Sequence, residues 1–427
     1  MHSHNSRVIK LSEILLAFSR AISVTLGMGL FHTMQLAKIA YILGKHLGLT
    51  YNQLERLVLS ALIHDIGITY IKKDFLKIAD THDADIFKKS DLDIIELLDF
   101  AKKNKINELI DLITSHSFEG VHFLKQSSIK HTVFNIINKD SIITKNLFFD
   151  SIEETAYLSK ILCIADMLEC ASTIEETLEE KASVANNLVK NFTSQFFDGE
   201  LGKKIQSIVK EKEFWYAVIK NKLFIDIFSE FNDIEYDLYS DKVLNFFTIF
   251  AMFIDIKSPH TAEHSTNVAK ISRTIAQHLG FTQEKANLLF YAGLLHDVGK
   301  LAISNYILEK KGKLTYEEYS TMKLHPKVTK QILKPLKSIK EIVFWGACHH
   351  EKENGSGYPN GLDKHQIPME SKIIAVADVY NALTADRPYR SGMPKKKALE
   401  ILIQDSELLY NKECIKILEQ ISNSNII

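Results

Sequence analysis

The chain contains two related stretches in the same order, and this constrains its fold more than any other feature. His32-Thr33-Met34-Gln35-Leu36-Ala37-Lys38-Ile39 is answered 232 residues later by His264-Ser265-Thr266-Asn267-Val268-Ala269-Lys270-Ile271. At the same separation, His46-Leu47-Gly48-Leu49-Thr50 is answered by His278-Leu279-Gly280-Phe281-Thr282, and Leu62-Ile63-His64-Asp65-Ile66-Gly67 by Leu294-Leu295-His296-Asp297-Val298-Gly299. Further on, Ser159-Lys160-Ile161-Leu162-Cys163-Ile164-Ala165-Asp166 pairs with Ser371-Lys372-Ile373-Ile374-Ala375-Val376-Ala377-Asp378. Four matches in one order predict two copies of one structural unit. The copies are expected over 1–185 and 245–427, with 186–244 forming connecting helices rich in Lys, Glu, Asp and Phe.

Within each copy the apolar residues recur at helical spacing, as in Leu36, Ile39, Ala40, Leu43 and in Val268, Ile271, Ile275, Leu279. Prolines number only seven, and apolar-polar alternation is scarce. The expected fold class is therefore all-α, two tandem helical domains. The apolar stretches Ile14 to Leu30 and Val243 to Ile256 read as buried core helices. The first is interrupted by Arg20 and two glycines, and the second is too short to span a bilayer. The main loop signal is Asn354-Gly355-Ser356-Gly357-Tyr358-Pro359-Asn360-Gly361, too rich in Gly and Pro for a helix.

Composition narrows the function classes. With 52 basic and 53 acidic residues the net charge is −1, which argues against binding a nucleic-acid polymer. Cys163, Cys170, Cys348 and Cys414 show no metal-type spacing. A reducing, cytoplasmic setting fits, and the start Met1-His2-Ser3-His4 has no charged-then-apolar leader pattern. No membrane insertion is expected.

The chemistry concentrates in Leu294-Leu295-His296-Asp297-Val298-Gly299-Lys300. Adjacent helix side chains diverge by about 100°, so His296 and Asp297 need a shared target between them. A metal ion taking one nitrogen and one oxygen ligand is such a target. Taken alone, the pair could equally be a helix end with a buried His and a capping Asp. The second copy, however, also carries His260, His264, His325, His349, His350 and Asp378. Asp378 lies in a strongly apolar run, where an isolated carboxylate is costly without a cation or hydrogen-bond partners.

In this second copy the sequence resembles the HD-GYP family. The resemblance covers about 255–395 and rests on His296-Asp297-Val298-Gly299-Lys300, Leu324-His325-Pro326, His349-His350-Glu351, Gly355-Ser356-Gly357-Tyr358-Pro359-Asn360-Gly361-Leu362 and Asp386-Arg387-Pro388-Tyr389-Arg390. It implies an all-α HD phosphohydrolase that cleaves a cyclic dinucleotide, cyclic di-GMP first, to the linear dinucleotide or mononucleotides. It also implies two or three divalent metal ions, iron first and manganese second. By the same resemblance, His264, His296, Asp297 and Asp378 would hold one metal. Asp297 would bridge to a second, held also by His325, His349 and His350. Two ions about 3.5–4 Å apart can share a hydroxide and lower its pKa for in-line attack on phosphorus. Lys300 would neutralise phosphate charge as a point cation, so Asp297 and Lys300 are the expected catalytic residues. Arg387 and Arg390 would offer guanidinium forks to phosphate or guanine. Gly357, Tyr358 and Pro359 would shape the substrate side of the site or meet a protein partner. Family members with a third metal carry Glu where this chain has His260, which makes His260 a candidate third-metal ligand. A homodimer is a further expectation.

The sequence also departs from the family. Asn381 stands where a second Asp is common and receives no role, and the usual Phe-Asp-Pro stretch is missing near Tyr410-Asn411-Lys412. The first copy retains His32, His64, Asp65 and Asp166, and His116 falls near the place of His349. It has Ile68 in place of Lys300, Leu92 near His325, Ser117 in place of His350, and no Gly-Tyr-Pro loop. It is therefore expected to be a degenerate copy with a regulatory or packing role. Two rival readings accompany the leading one: a phosphodiesterase for 3'3'-cyclic GMP-AMP, and a non-catalytic cyclic-dinucleotide receptor. The full ligand set of the second copy argues against the receptor.

Overall fold

The computed structural model describes residues 7–25, 32–63, 152–172, 177–196, 199–219, 227, 235–257, 264–310, 312–385, 391–406 and 408–424. The elements run β1 (Val8–Lys10), α1 (Leu11–Thr25), α2 (His32–His46), α3 (Tyr51–Ile63), α4 (Ile152–Ser172), α5 (Leu178–Phe196), α6 (Gly199–Val209), α7 (Lys212–Ile219) and β2 (Glu235–Asp237). They continue with α8 (Asp241–Lys257), α9 (His264–His278), α10 (Gln283–Leu295), α11 (Asn305–Leu308), α12 (Tyr316–Met322), α13 (His325–Leu333), α14 (Lys340–Ala347), α15 (Met369–Thr384), α16 (Lys395–Asp405) and α17 (Lys412–Asn423). Short 3-10 turns cover Val298–Ala302 and Lys337–Ile339. The fold is all-α. Among the described residues its one sheet is a pair of three-residue strands, with Ile9 opposite Tyr236.

The internal repeat has a concrete structural form. In both copies the first helix ends on a glycine with positive φ, Gly48 at 75° and Gly280 at 81°. The next N–H reaches back into the helix, Leu49 to the carbonyl of Gly44 and Phe281 to that of Ala276, both 3.0 Å. This is a glycine C-cap, a backbone conformation that costs other residues about 1–2 kcal/mol. Two residues on, a threonine caps the following helix. Thr50 Oγ1 accepts from Gln53 N–H at 3.4 Å, and Thr282 Oγ1 from Lys285 N–H at 3.3 Å. The repeated Gly-apolar-Thr thus makes a helix corner of fixed geometry, which folds each second helix back along the first.

The chain divides into two compact units, Phe18–Ile234 and Met1–Ala17 with Glu235–Ile427. These boundaries differ from the expected 1–185, 186–244 and 245–427, and the contacts give the reason. β1 pairs with β2, and Arg7 donates to the carbonyl of Ser338 at 2.7 Å and pairs with Glu341. Glu13 accepts from the Ser338 N–H and hydroxyl, both at 3.0 Å. These bonds tie the amino-terminal segment into the second unit. The helices α6 and α7 and the part of α5 beyond 185, expected as a connector, belong with α5 to the unit of α2 and α4 and pack there, and Trp215 is fully buried in that unit.

In the first unit Leu36, Ile39, Leu43, Leu57, Leu62 and Ile161 form the core. In the second, Val268, Ile275, Leu289, Leu295, Ile374 and Val376 fill the space between α9, α10 and α15. Each fully buried aliphatic side chain of this size contributes about 1.5–3 kcal/mol. Gly293 lets α10 approach α9 closely, since a Cβ there would fall 2.7 Å from Ala269 Cα. The apolar stretches of α1 and α8 are core helices over their described residues, as their composition requires.

Ile9 has no exposed surface in β1. Ile9→Ala is expected to destabilise the second unit by about 2–5 kcal/mol. Hydrogen exchange should then speed up in α9 and α10 and stay unchanged in α2 and α3. Equal acceleration in both sets would contradict the assignment of the amino-terminal segment to the second unit.

Candidate metal centre

Five separate segments of the second unit bring titratable side chains to one place. His264 is the first residue of α9, and His296 and Asp297 follow the end of α10. His325 opens α13, where Pro326 follows in the first turn and needs no hydrogen-bond partner. His349 and His350 lie in the turn after α14, and Asp378 lies on α15. The described residues hold two groups with ligand atoms close enough for one ion each: Asp297, His325, His349 and His350, and His264, His296 and Asp378.

Asp297 stands between the groups and turns one oxygen to each. Its Oδ2 lies 3.2 Å from His296 Nε2 and 3.7 Å from His264 Nε2. Its Oδ1 lies 3.3 Å from His325 Nε2 and 3.7 Å from His349 Nε2. Asp378 Oδ1 lies 3.2 Å from His264 Nε2 and 4.0 Å from His296 Nε2. The imidazoles are aimed by their other nitrogens. His296, His325 and His349 each place Nδ1 against the carbonyl three residues earlier, that of Gly293 at 2.6 Å, Met322 at 2.8 Å and Gly346 at 2.6 Å. With Nδ1–H donated there, each Nε2 is a lone pair directed inward, the tautomer that binds metals.

The site fits metal ions by a test of its own polar atoms. His296, Asp297, His325 and His349 are all essentially buried. The Nε2 atoms of the three histidines and Oδ1 of Asp297 have no hydrogen-bond partner. A buried polar atom without a partner costs about 1–3 kcal/mol, so four converging ones mark a place where cations complete the structure. Electrostatics agree. Burial disfavours the charged His264 ring, but the Asp297 and Asp378 carboxylates outweigh it and carry its pKa up to about 9. Burial works against a charged Asp297, yet His296 and Lys300 hold it well below the carboxylate range. Burial, then His264, acts in the same opposed way on Asp378, which also ends low. His349 is pushed down to about 3 by burial and by His296, and His350 is pushed down by burial and by His349. Imidazoles, those of His349 and His350 held neutral, beside ionised carboxylates are a donor set that divalent transition metals take.

Further residues build this site whose parts the sequence did not reveal. Thr329 Oγ1 accepts from Gly299 N–H at 2.9 Å and donates to the His296 carbonyl at 3.1 Å, joining the His-Asp turn to α13. Gly299 is required there, because a Cβ would fall 1.9 Å from the carbonyl oxygen of His325. Glu351 is buried and accepts from Asn360 N–H at 2.7 Å and Leu362 N–H at 2.9 Å, pinning the Gly-Tyr-Pro loop from below. Gly357 lies on that floor, where a Cβ would come within 2.4 Å of Lys352 N. Tyr358 stacks on His350 with ring centroids 4.7 Å apart and meets His325 edge-on at 6.4 Å, and Pro359 follows through a cis peptide. The spacing of Glu351 directly after two histidines was the available signal, since an acid in an otherwise buried turn needs backbone donors.

Lys300 donates to Asp297 Oδ2 at 2.5 Å. In the first copy His32 and Asp166 come together, His32 Nε2 lying 3.9 Å from Asp166 Oδ1. His64, Asp65, His116, Ile68, Leu92, Ser117, His260, Arg387 and Arg390 lie outside the described residues.

Gly299→Ala is expected to displace His325 and lower metal affinity by about 10–100-fold, the cost typical of a lost supporting contact. Metal analysis after dialysis against a weak chelator checks this, with Gly280→Ala as the control, since only open space surrounds Gly280. Equal metal loss in both variants would show that strain anywhere in the unit suffices.

Comparison with known proteins places this geometry. Residues 248–413 match the HD domain family, and residues 29–171 match an HD domain as well. The chain is similar to 3'3'-cGAMP-specific phosphodiesterase 3 of Vibrio cholerae, 40% identical over 176 residues, 41% of this chain and 38% of that protein. It is similar to the cyclic di-GMP phosphodiesterase response regulator RpfG of Xanthomonas campestris, 35% identical over 169 residues, 39% of this chain and 44% of that protein. Over 208 residues it is 33% identical to a cyclic di-GMP phosphodiesterase of Thermotoga maritima, 46% of this chain and 54% of that one. The match thus covers about two-fifths to half of these relatives' length. The fold is similar to the crystal structure of a cyclic GMP-AMP specific phosphodiesterase of V. cholerae, with a TM-score of 0.60 and 23% identity over 97% of this chain and 98% of that one. HD domains are metal-dependent. With both matches in one chain, the protein is a tandem member of the HD domain family.

Proposed function

We propose that the second unit is a metal-dependent phosphodiesterase that opens a guanine-containing cyclic dinucleotide, cyclic di-GMP first. The observation that carries this reading is Asp297, one carboxylate with its two oxygens turned to two separate sets of imidazoles. In this reading His264, His296, Asp297 and Asp378 hold one ion, and Asp297, His325, His349 and His350 hold another. The ions, iron by preference and manganese second, supply Lewis-acid chemistry that activates water near pH 7 and stabilises charge on phosphoryl oxygens.

The chain's own residues do the rest. His296, His325 and His349 keep Nε2 directed inward through their Nδ1–H bonds, so these three need no rearrangement on loading. Asp297 stays ionised in a dry setting, where its charge acts at full strength. Lys300 lies beside Asp297, partly exposed, and can offer its ammonium to an incoming phosphate. Tyr358 forms a flat wall against His350 and His325 and limits how a ring-shaped substrate enters. Arg387 and Arg390 supply the planar forks for phosphate or guanine, and His260 is a candidate ligand for a third ion. The Gly-Tyr-Pro loop offers a surface for a protein partner, and a homodimer remains part of the reading. No described helix is long and apolar enough to cross a membrane, and we place the activity in the cytoplasm.

A second substrate reading is 3'3'-cyclic GMP-AMP, favoured by the 40% identity to a phosphodiesterase named for that substrate. Anaerobic turnover with Fe(II) or Mn(II), both dinucleotides offered in parallel, decides between them. A fully metallated protein that cleaves neither would leave a receptor role and overturn the enzyme reading.

The division of labour is part of the proposal: the first unit is degenerate and the second is catalytic. His296→Ala should abolish turnover, whereas His64→Ala should leave turnover per folded molecule largely intact. Equal loss in both, with folding preserved, would mean that the first unit takes part in the chemistry. Lys300→Ala should keep its metal and lose about 100-fold in rate, the scale of one charge-stabilising donor. Loss of metal with an unchanged rate per metal would instead make Lys300 a support for Asp297.

A further inference from the structure

The histidine that opens the repeat is held in both copies by a residue that carries no assigned role. In the second copy Asn381 Nδ2 lies 2.7 Å from His264 Nδ1. In the first copy Glu169 Oε2 lies 3.1 Å from His32 Nδ1. Asn381 follows Asp378 by three residues and Glu169 follows Asp166 by three, so the two hold matching places in the repeat. Both are buried. The position therefore keeps its task while its residue type changes from carboxylate to amide.

Three other imidazoles of the site show what the task is. His296, His325 and His349 give Nδ1 to a carbonyl oxygen of the preceding turn. His264 is the first residue of α9, so its own helix has no carbonyl behind it to serve. A side chain from α15 takes that place. Glu169 in the first copy sets a carboxyl oxygen against Nδ1, an acceptor for Nδ1–H that would leave Nε2 as the lone pair. Asn381 can do both, because half a turn about its terminal bond exchanges oxygen for NH2. The amide lies 2.7 Å from Nδ1, and on the far side of the ring Nε2 lies 3.2 Å from Asp378 Oδ1. With Oδ1 toward the ring, Nδ1–H is held and Nε2 is free to bind.

We propose that Asn381 is a positioning residue for the metal centre, its Oδ1 accepting from His264 Nδ1–H when an ion is held. The inference rests on the reading of His264 as a ligand.

The test uses the full chain and Mn(II) alone, without substrate. Mn(II) affinity is followed by the signal of the free ion for the wild type, Asn381→Asp and Asn381→Leu. Asn381→Leu has no acceptor and should bind about 10–100-fold more weakly, while Asn381→Asp, which accepts as Glu169 does, should restore affinity. In the Zn(II)-loaded wild type with 15N-labelled histidine, the His264 ring, identified by its loss in His264→Gln, should carry its proton on Nδ1. This measurement does not depend on the folding of either Asn381 variant. Wild-type affinity in Asn381→Leu, loss in Asn381→Asp equal to that in Asn381→Leu, or a metal-bound Nδ1 would each overturn the proposal. Failure of the wild type to take up Mn(II) or Zn(II) would overturn it together with the metal-centre reading. The predicted order of affinities without any hydrolysis of a cyclic dinucleotide would sustain this inference and overturn the proposed function alone.

Discussion

A buried carboxylate with both oxygens in use is the constraint on which the second unit depends. Asp297 is almost wholly withdrawn from water, and an ionised acid in such a place is stable only with compensating charge and directed donors. The compensation comes from α9, the end of α10, α13, the turn after α14 and α15, so these elements must meet at one point. Their packing follows. Gly293 brings α10 against α9, Gly299 brings the His-Asp turn against α13, and Thr329 joins the two by hydrogen bonds. Without an ion, several of the gathered atoms lack partners, which makes the protein's interior and its chemistry the same physical problem.

The loop after His350 depends on the same logic one layer out. A Gly-rich segment has little apolar surface with which to hold itself down, and its order must come from hydrogen bonds. Glu351 supplies them by accepting two backbone N–H groups from the loop, and Gly357 allows the backbone to lie on the floor so formed. Tyr358 is thereby set against the imidazoles rather than left in solvent. A loop placed in this way serves as a wall of the site, and any partner that moves it would act on His350 directly.

The two copies show how a repeat can keep a scaffold and vary its use. The glycine C-cap and threonine N-cap corner is the same in both, because it is a backbone device with strict residue needs. The position three residues after the helix aspartate keeps its partner histidine yet changes from Glu169 to Asn381.

Much of this was legible in the sequence, for reasons that are local. Helical periodicity, the Gly-apolar-Thr corner, the order of the repeat and the His-Asp pair are properties of short segments, and each needs particular residues to exist at all. The crowd of histidines with Asp378 in an apolar run pointed to an interior whose clustered groups could hold cations, because burial of such groups is otherwise costly. What only the tertiary structure decided is non-local. That Asp297 turns one oxygen to each set, that Asn381 reaches His264 across 117 positions, and that Glu351 pins a loop all depend on side-chain directions set by packing. The division of the chain was likewise decided in three dimensions. β1 and Arg7 join a unit more than two hundred residues away through strand pairing and an ion pair. Such contacts leave no periodic trace in sequence, since one hydrogen bond or ion pair at a distance imposes no pattern on the residues around it.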